Sequence, residues 1–178
     1  IEYGDSDMNV LKGKRAYLSG PIEFGTNENW RTKPIETITN RFGVNLFDPF
    51  ADPKQQWTPA ITEARKNQDY ITMNKIAKIF VRKDLAMVDR ADFIVAYLPY
   101  KVPTTGTHHE IINSNNAKKP TLLVTDCEDI GYIPIWYFGF IPSEFMFPNW
   151  NALYSYLEEV DQGKHRNNNR WSFIYGDI

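Results

Sequence analysis

One stretch decides the architecture before any other: "DFIVAYLP", Asp92–Pro99, is almost unbroken apolar sequence of strand length. Such a run is the mark of a central parallel strand buried on both faces. "KKPTLLVTD", Lys118–Asp126, predicts a second strand of this kind. "KRAYLSGP" holds an earlier strand, Lys14–Leu18, stopped by Gly20–Pro21, and "VNLFDPF", Val44–Phe50, another closed by Asp48–Pro49. Glu144–Phe147 supplies a fifth. Between the strands the apolar spacing turns helical. It does so over Asn27–Arg41, over Ile61–Ala91 as two helices broken near Asp69–Thr72, over Thr107–Ala117, and over a closing amphipathic helix, Trp150–Val160. This alternation predicts an α/β protein: right-handed βαβ units in a three-layer sandwich around a parallel sheet. Ligands of such sheets bind beyond the carboxyl ends of the strands. That rule selects the loops Ser19–Asn29, Asp48–Trp57 and Pro99–Glu110, with Tyr17, Asp48 and Pro99 at strand ends.

Composition removes several classes of function. With 178 residues, 42% apolar and 24% charged, the chain can bury one real core and is not disordered. A net charge of −2 offers no polycationic surface, so no nucleic-acid partner is expected. Cys127 is the single cysteine, which excludes an internal disulfide framework and a cysteine-based zinc cluster, and the 3 histidines have no metal-ligand spacing. No apolar run reaches membrane-spanning length and residues 1–12 hold no signal core, so a cytoplasmic protein with no membrane partner is expected. Residues 1–12 read as an N-terminal extension, 13–162 as one domain, and 163–178 as a tail, loose or docked on a neighbouring subunit. The aromatic stretches Tyr132–Phe147 and Trp171–Tyr175 predict a symmetric homo-oligomer, a dimer or higher.

The usual phosphate cradles, G-x-G-x-x-G and G-x-x-x-x-G-K-[ST], are absent, as is a G-x-S-x-G elbow. What remains is a set of carboxylates on strand-end loops. "TTGTHHE" places Glu110 three residues after Thr107. Two readings stay open: Thr107 and Glu110 form a capping box, or Glu110 is a nucleophile one turn into the site. A carboxylate suits attack on a glycosidic carbon, where the transition state is oxocarbenium-like and a glycosyl ester can form and break. Asp84, Asp89 and Asp92 precede the central strand. Asp92 at the helix-to-strand turn is most simply a turn residue; Asp84, near a helix end, is either solvated, paired with Arg82, Lys83 or Arg90, or functional.

"AYLSGPIEF", "RKDLAMVDRADFIVAYLP", "GTHHE" and "KKPTLLV", in this order, resemble the nucleoside 2-deoxyribosyltransferase-like superfamily. Its members join a strand ending Y-[ILF]-x-G-P to D-x-x-x-[IVL]-x-x-[AC]-D-[AFV]-[IV]-[VA], then G-[ST]-x-x-E and K-P-[VIT]. The match runs from about Lys14 to Val124. The resemblance implies a flavodoxin-like (Rossmann-like) fold with a five-stranded parallel sheet, and an oligomer whose sites a partner chain completes. It makes Glu110 the nucleophile and Asp84 the acid near the nucleobase. Tyr17 and Gly20 would shape the pocket floor, with Ser19 and Pro21 beside them. In the transferases an Asp follows the third strand; Pro99 stands there in this chain, followed by Tyr100, Lys101 and Thr104–Thr107. Asp52–Asn74 carries none of the family's motifs.

The activity this implies is cleavage of the N-glycosidic bond of a (deoxy)nucleoside or nucleotide, with transfer of the 2-deoxyribosyl group to another nucleobase and no cofactor or metal. An alternative is a nucleoside 5′-monophosphate N-glycosidase, a hydrolase. Thr104, Thr105 and the Gly106–Thr107 helix start would then hold the 5′-phosphate, with Lys101 nearby. Further alternatives are a non-catalytic nucleotide-sensing module and cleavage of a dinucleotide such as NAD.

Overall fold

A computed structural model of the protein describes residues 9–22, 30–49 and 58–175. Its strands are β1 (Arg15–Ser19), β2 (Asn45–Phe47), β3 (Phe93–Tyr97), β4 (Thr121–Val124) and β5 (Met146–Phe147). Helices are α1 (Thr32–Phe42), α2 (Thr58–Lys66), α3 (Tyr70–Arg90), α4 (Thr105–Asn116), α5 (Ile135–Phe138) and α6 (Trp150–Asp161). The five strands form one sheet in the order β2-β1-β3-β4-β5, and every pairing is parallel. This is the doubly wound order, whose switch point falls between β1 and β3.

The apolar runs are buried for the reason the pattern anticipates. Phe93, Ile94, Val95 and Ala96 are fully covered, as are Leu122, Leu123 and Val124. α3 and α4 pack together against β1, β3 and β4, while α1 and α6 pack together against β2, β4 and β5. Register divides the side chains of β1 between these layers: Tyr17 pairs with Ile94 and Ser19 with Ala96, whereas Leu18 pairs with Val95. Tyr17 and Ser19 therefore share the face covered by α3 and α4.

The break expected near Asp69–Thr72 is there. α2 ends at Lys66, and Asp69 caps α3 by accepting from the Thr72 amide at 3.0 Å. α4 begins earlier than expected. Thr104 is its N-cap, with the His108 N–H donating to the Thr104 carbonyl at 3.0 Å, so Thr107 is not a cap and no Thr107–Glu110 capping box exists. The cause is the buried stripe Thr107, Glu110, Ile111 and Ser114, which demands helical backbone at Thr107 itself.

The tail also departs from expectation. Trp171 is fully buried in its own chain, its indole N–H donates to Tyr156 Oη at 2.8 Å, and its ring lies 5.3 Å from that of Phe93. Arg170 ties the same segment to the end of α4 through Asn115, at 3.0 Å to Oδ1 and 3.1 Å to the carbonyl. Of residues 1–12, Leu11 is fully buried and its amide donates to Asp161 Oδ1 at 2.9 Å, while 1–8 lie outside the described residues. So do 27–29 of the expected first helix and 50–57 of the second strand-end loop.

Candidate active site

The carboxyl end of β1 carries the centre of the site. Ser19 is fully buried there, and its hydroxyl donates to Glu110 Oε2 at 2.8 Å. Glu110 reaches it from the second turn of α4 and is itself 8% exposed. A carboxylate held this deep must be bound by donors, since desolvating it without partners costs several kcal/mol, on the order set by burial in low dielectric. Two residues before Ser19, on the same face, the Tyr17 phenol is buried against two acids. Burial first, then the charges of Glu110 and Asp84, hold its pKa far above the ordinary phenol value, so Tyr17 stays protonated. Its oxygen makes no hydrogen bond of full geometry, though it lies within reach of Glu110. Asp84 arrives from α3 and is 7% exposed, a buried residue and not a solvated helix-end acid. Tyr17, Ser19, Asp84 and Glu110 thus converge from three elements.

The remaining candidates separate into groups. Gly20 and Pro21 lie beside this cluster and pack on Trp30. A Cβ on Gly20 would sit 2.3 and 2.5 Å from two Trp30 ring atoms, so only glycine fits, and the Trp30 indole N–H donates to the Pro21 carbonyl at 3.2 Å. Gly106 is exposed, and a Cβ there would come no nearer than 4.0 Å to Glu110 Oε1. Asp48 does not stand alone at its strand end; it accepts from Arg31 Nη1 at 2.9 Å. Thr107 is buried on the inner stripe of α4 and Thr105 is exposed. Thr104 turns towards His108, with Oγ1 3.3 Å from Nε2, and His108 stacks on Tyr137 and shares a short contact with its hydroxyl. Burial lowers the His108 pKa. Pro99 is half-buried at the exit of β3, and Lys101 sets its ammonium 5.2 Å from the centre of the Tyr100 ring. Asp92 is a fold residue as read, accepting from the Arg15 amide at 2.8 Å.

Sequence reasoning passed over Arg31 and the aromatic group around Trp30. Arg31 is 2% exposed, which is rare for a cation. Its guanidinium donates to the Leu18 carbonyl at 3.0 Å, to the Gly20 carbonyl at 3.1 Å and to Asp48, and lies 4.4 Å over the Trp30 ring. Burial lowers its pKa, and the nearby charges of Asp48 and Glu110 work against that shift. Trp30 also packs 4.8 Å from Tyr97 and 6.0 Å from Trp150. Beyond it, between the first turns of α1 and α6, opens a cavity of about 610 Å³ lined by Lys33, Glu128, Trp150 and Tyr154 among others. Neither Glu110 nor Asp84 lines it. The one hint in the sequence was a Trp-Arg pair just before a helix; its partner Asp48 lies 17 residues on, at no motif spacing. Among the described residues no set of three His, Cys, Asp or Glu side chains is arranged to hold a metal, and no helix is long and apolar enough to cross a membrane.

The sequence pattern of the nucleoside 2-deoxyribosyltransferase family matches residues 16–145. The chain belongs to this family. The matched span includes both buried carboxylates and ends before α6 and the Trp171 segment. Among solved structures, the chain is similar to a 2-deoxyribosyltransferase from Bacillus psychrosaccharolyticus, with a TM-score of 0.56 and 19% sequence identity. The likeness covers 80% of this chain and 91% of that one, and it shows a shared α/β fold with a parallel sheet. No curated protein matches the chain in sequence. A nucleoside 2-deoxyribosyltransferase-like function follows from family membership.

Proposed function

We propose that the protein cleaves the N-glycosidic bond of a 2-deoxynucleoside or its nucleotide and transfers the sugar to a second nucleobase. Glu110 attacks C1′ as the C1′–N bond breaks and its electron pair goes to the departing base. Asp84, directly or through a water, gives that base a proton. The product is a glycosyl ester on Glu110. The nitrogen of an incoming base then attacks C1′ and returns its proton to Asp84, the ester C–O bond breaks and Glu110 leaves as the carboxylate. The sequence balances without a metal or organic cofactor.

The observation that carries this reading is the buried Ser19–Glu110 bond at the carboxyl end of β1, with Asp84 acting on the same Tyr17 phenol. Ser19 holds Oε2, which restricts the rotamer of the Glu110 carboxylate. Pre-orienting an attacking oxygen removes much of the entropic barrier to a two-centre reaction. The protonated Tyr17 keeps a neutral dipole, not a third charge, beside the two acids. Pro99, standing where the transferases carry an acid, favours one second reading: hydrolysis of a nucleoside 5′-monophosphate, since one negative charge is missing.

A panel of nucleosides and 5′-monophosphates, incubated with and without a free acceptor base and followed by chromatography, separates the outcomes. Base exchange is the expected result. Free base with sugar phosphate, with no exchange, would select the hydrolase. Release of no base from any member would leave a binding module and end the catalytic reading.

A further inference from the structure

We propose that Arg31 is a positioning residue for the Glu110 nucleophile, acting through the Leu18–Gly20 backbone and the Ser19 hydroxyl; the inference rests on the glycosidic reading of the site. The geometry is a chain of contacts from one side of the sheet to the other. Asp48 at the end of β2 holds Arg31 Nη1 at 2.9 Å. The same nitrogen donates to the Leu18 carbonyl at 3.0 Å, and Nη2 donates to the Gly20 carbonyl at 3.1 Å. Those two carbonyls bracket the Ser19–Gly20 dipeptide, and Ser19 Oγ donates to Glu110 Oε2 at 2.8 Å. One planar fork therefore holds the two peptide oxygens that bracket the dipeptide carrying the residue that orients the nucleophile.

Arginine alone among the side chains can do this. Its five N–H donors lie in one rigid plane, while a lysine ammonium is a single centre that cannot span both carbonyls and the carboxylate. The ring of Trp30 closes the arrangement, lying under the guanidinium and against Gly20. β1 ends at Ser19, so past this point no ladder of strand hydrogen bonds holds the chain. The Arg31 fork stands in for the ladder just where Ser19 must point at α4. A displacement of the attacking oxygen on the order of 1 Å lowers the rate by up to ~10²-fold. The charge of Arg31 also reaches Glu110 across the sheet.

The test is a double-mutant cycle on turnover. Arg31→Lys keeps the charge and loses the fork; Ser19→Ala removes the relay. If Arg31 acts through Ser19, Arg31→Lys lowers kcat by roughly tenfold with KM changed much less, and the same substitution made in Ser19→Ala lowers kcat by less than about twofold. Equal losses in both backgrounds would overturn the proposal, because the two residues would then act independently. A rise in KM with kcat unchanged would overturn it as well, by making Arg31 a substrate contact. Should Arg31→Lys fail to fold, Asp48→Asn loosens the guanidinium from the other end. It enters the same cycle with the same two outcomes. Glu110→Gln is the control for the underlying reading. If the wild-type protein cleaves no glycosidic bond, or Glu110→Gln turns over normally, the site assignment fails. An inactive Glu110→Gln beside an additive Arg31–Ser19 cycle refutes the relay alone.

Discussion

Replacing Glu110 by Gln should abolish turnover without weakening the fold, a combination that a purely structural glutamate would not produce. The amide has nearly the same shape and keeps an oxygen able to accept the Ser19 hydroxyl, now 2.8 Å from Oε2. It removes one charge from a cluster where Asp84 and Glu110, 7% and 8% exposed, both act on the Tyr17 phenol. Arg31 keeps its own partner Asp48 at 2.9 Å, so no buried cation is stranded. Two effects oppose. A hydrogen bond to a charged group contributes ~1.5–3 kcal/mol against ~0.5–1.5 for a neutral one, so the Ser19 bond weakens by about 1 kcal/mol. Removing a buried like charge from an active site returns ~0.5–2 kcal/mol. The net lies between about −0.5 and +1 kcal/mol. At ~2–4 °C per kcal/mol for a chain of this size, melting should fall by no more than ~2 °C or rise by up to ~4 °C. Turnover should fall by ~10⁴–10⁶-fold, as when a nucleophile is removed. Thermal melting and product chromatography on one preparation measure both. A melting point lowered by several degrees with turnover retained would refute the reasoning and make Glu110 a packing residue.

Asp84→Asn should lower turnover by ~10²–10⁴-fold, less than the Glu110 change, and a substrate whose base departs without protonation should escape most of the loss. Equal losses on both substrates would remove Asp84 from the proton-donor role. Gly20→Ala forces a methyl to 2.3 Å from a Trp30 ring already packed by Tyr97 and Trp150, and should destabilise by ~1–3 kcal/mol with a shift in tryptophan fluorescence; unchanged melting would show that Trp30 can move aside freely. Trp171→Ala, at a fully buried position, should lose ~3–5 kcal/mol in urea unfolding. A loss well under 1 kcal/mol would mean that the 163–175 segment is not part of the core. Tyr132, Ile135 and Trp136 are 52%, 84% and 77% exposed, and we propose that a second copy covers them in a homo-oligomer. Sedimentation should give a multiple of the 20.7 kDa chain mass, and a monomer at micromolar concentration would end that reading.

What the chain states on its own is whatever depends on short-range pattern. β3 and β4 were legible because burial on both faces requires nearly every side chain of the run to be apolar, a condition written in consecutive residues. The break between α2 and α3 was legible because Asp69 satisfies an amide only three residues away. Glu110 and Asp84 could be named from local motifs in order along the chain. That they meet at Tyr17 and Ser19 depends on the β1–β3 register, which sets Tyr17 beside Ile94 and both on the α3–α4 face. Other features were closed to any local reading. Thr107 resembles a helix cap in sequence, and only its burial against the sheet makes it an interior helical residue. Trp171 looks like part of a free tail until the fold brings it against Phe93 and Tyr156. Arg31 is the clearest case. Nothing in its neighbours announces a buried cation; its role exists only because β1 and β2 end side by side, presenting two carbonyls and a carboxylate at the span of one guanidinium. Periodicity records which face of an element is buried, whereas a polar site is made of donors and acceptors distant in sequence, and only the tertiary fold sets the distances between them.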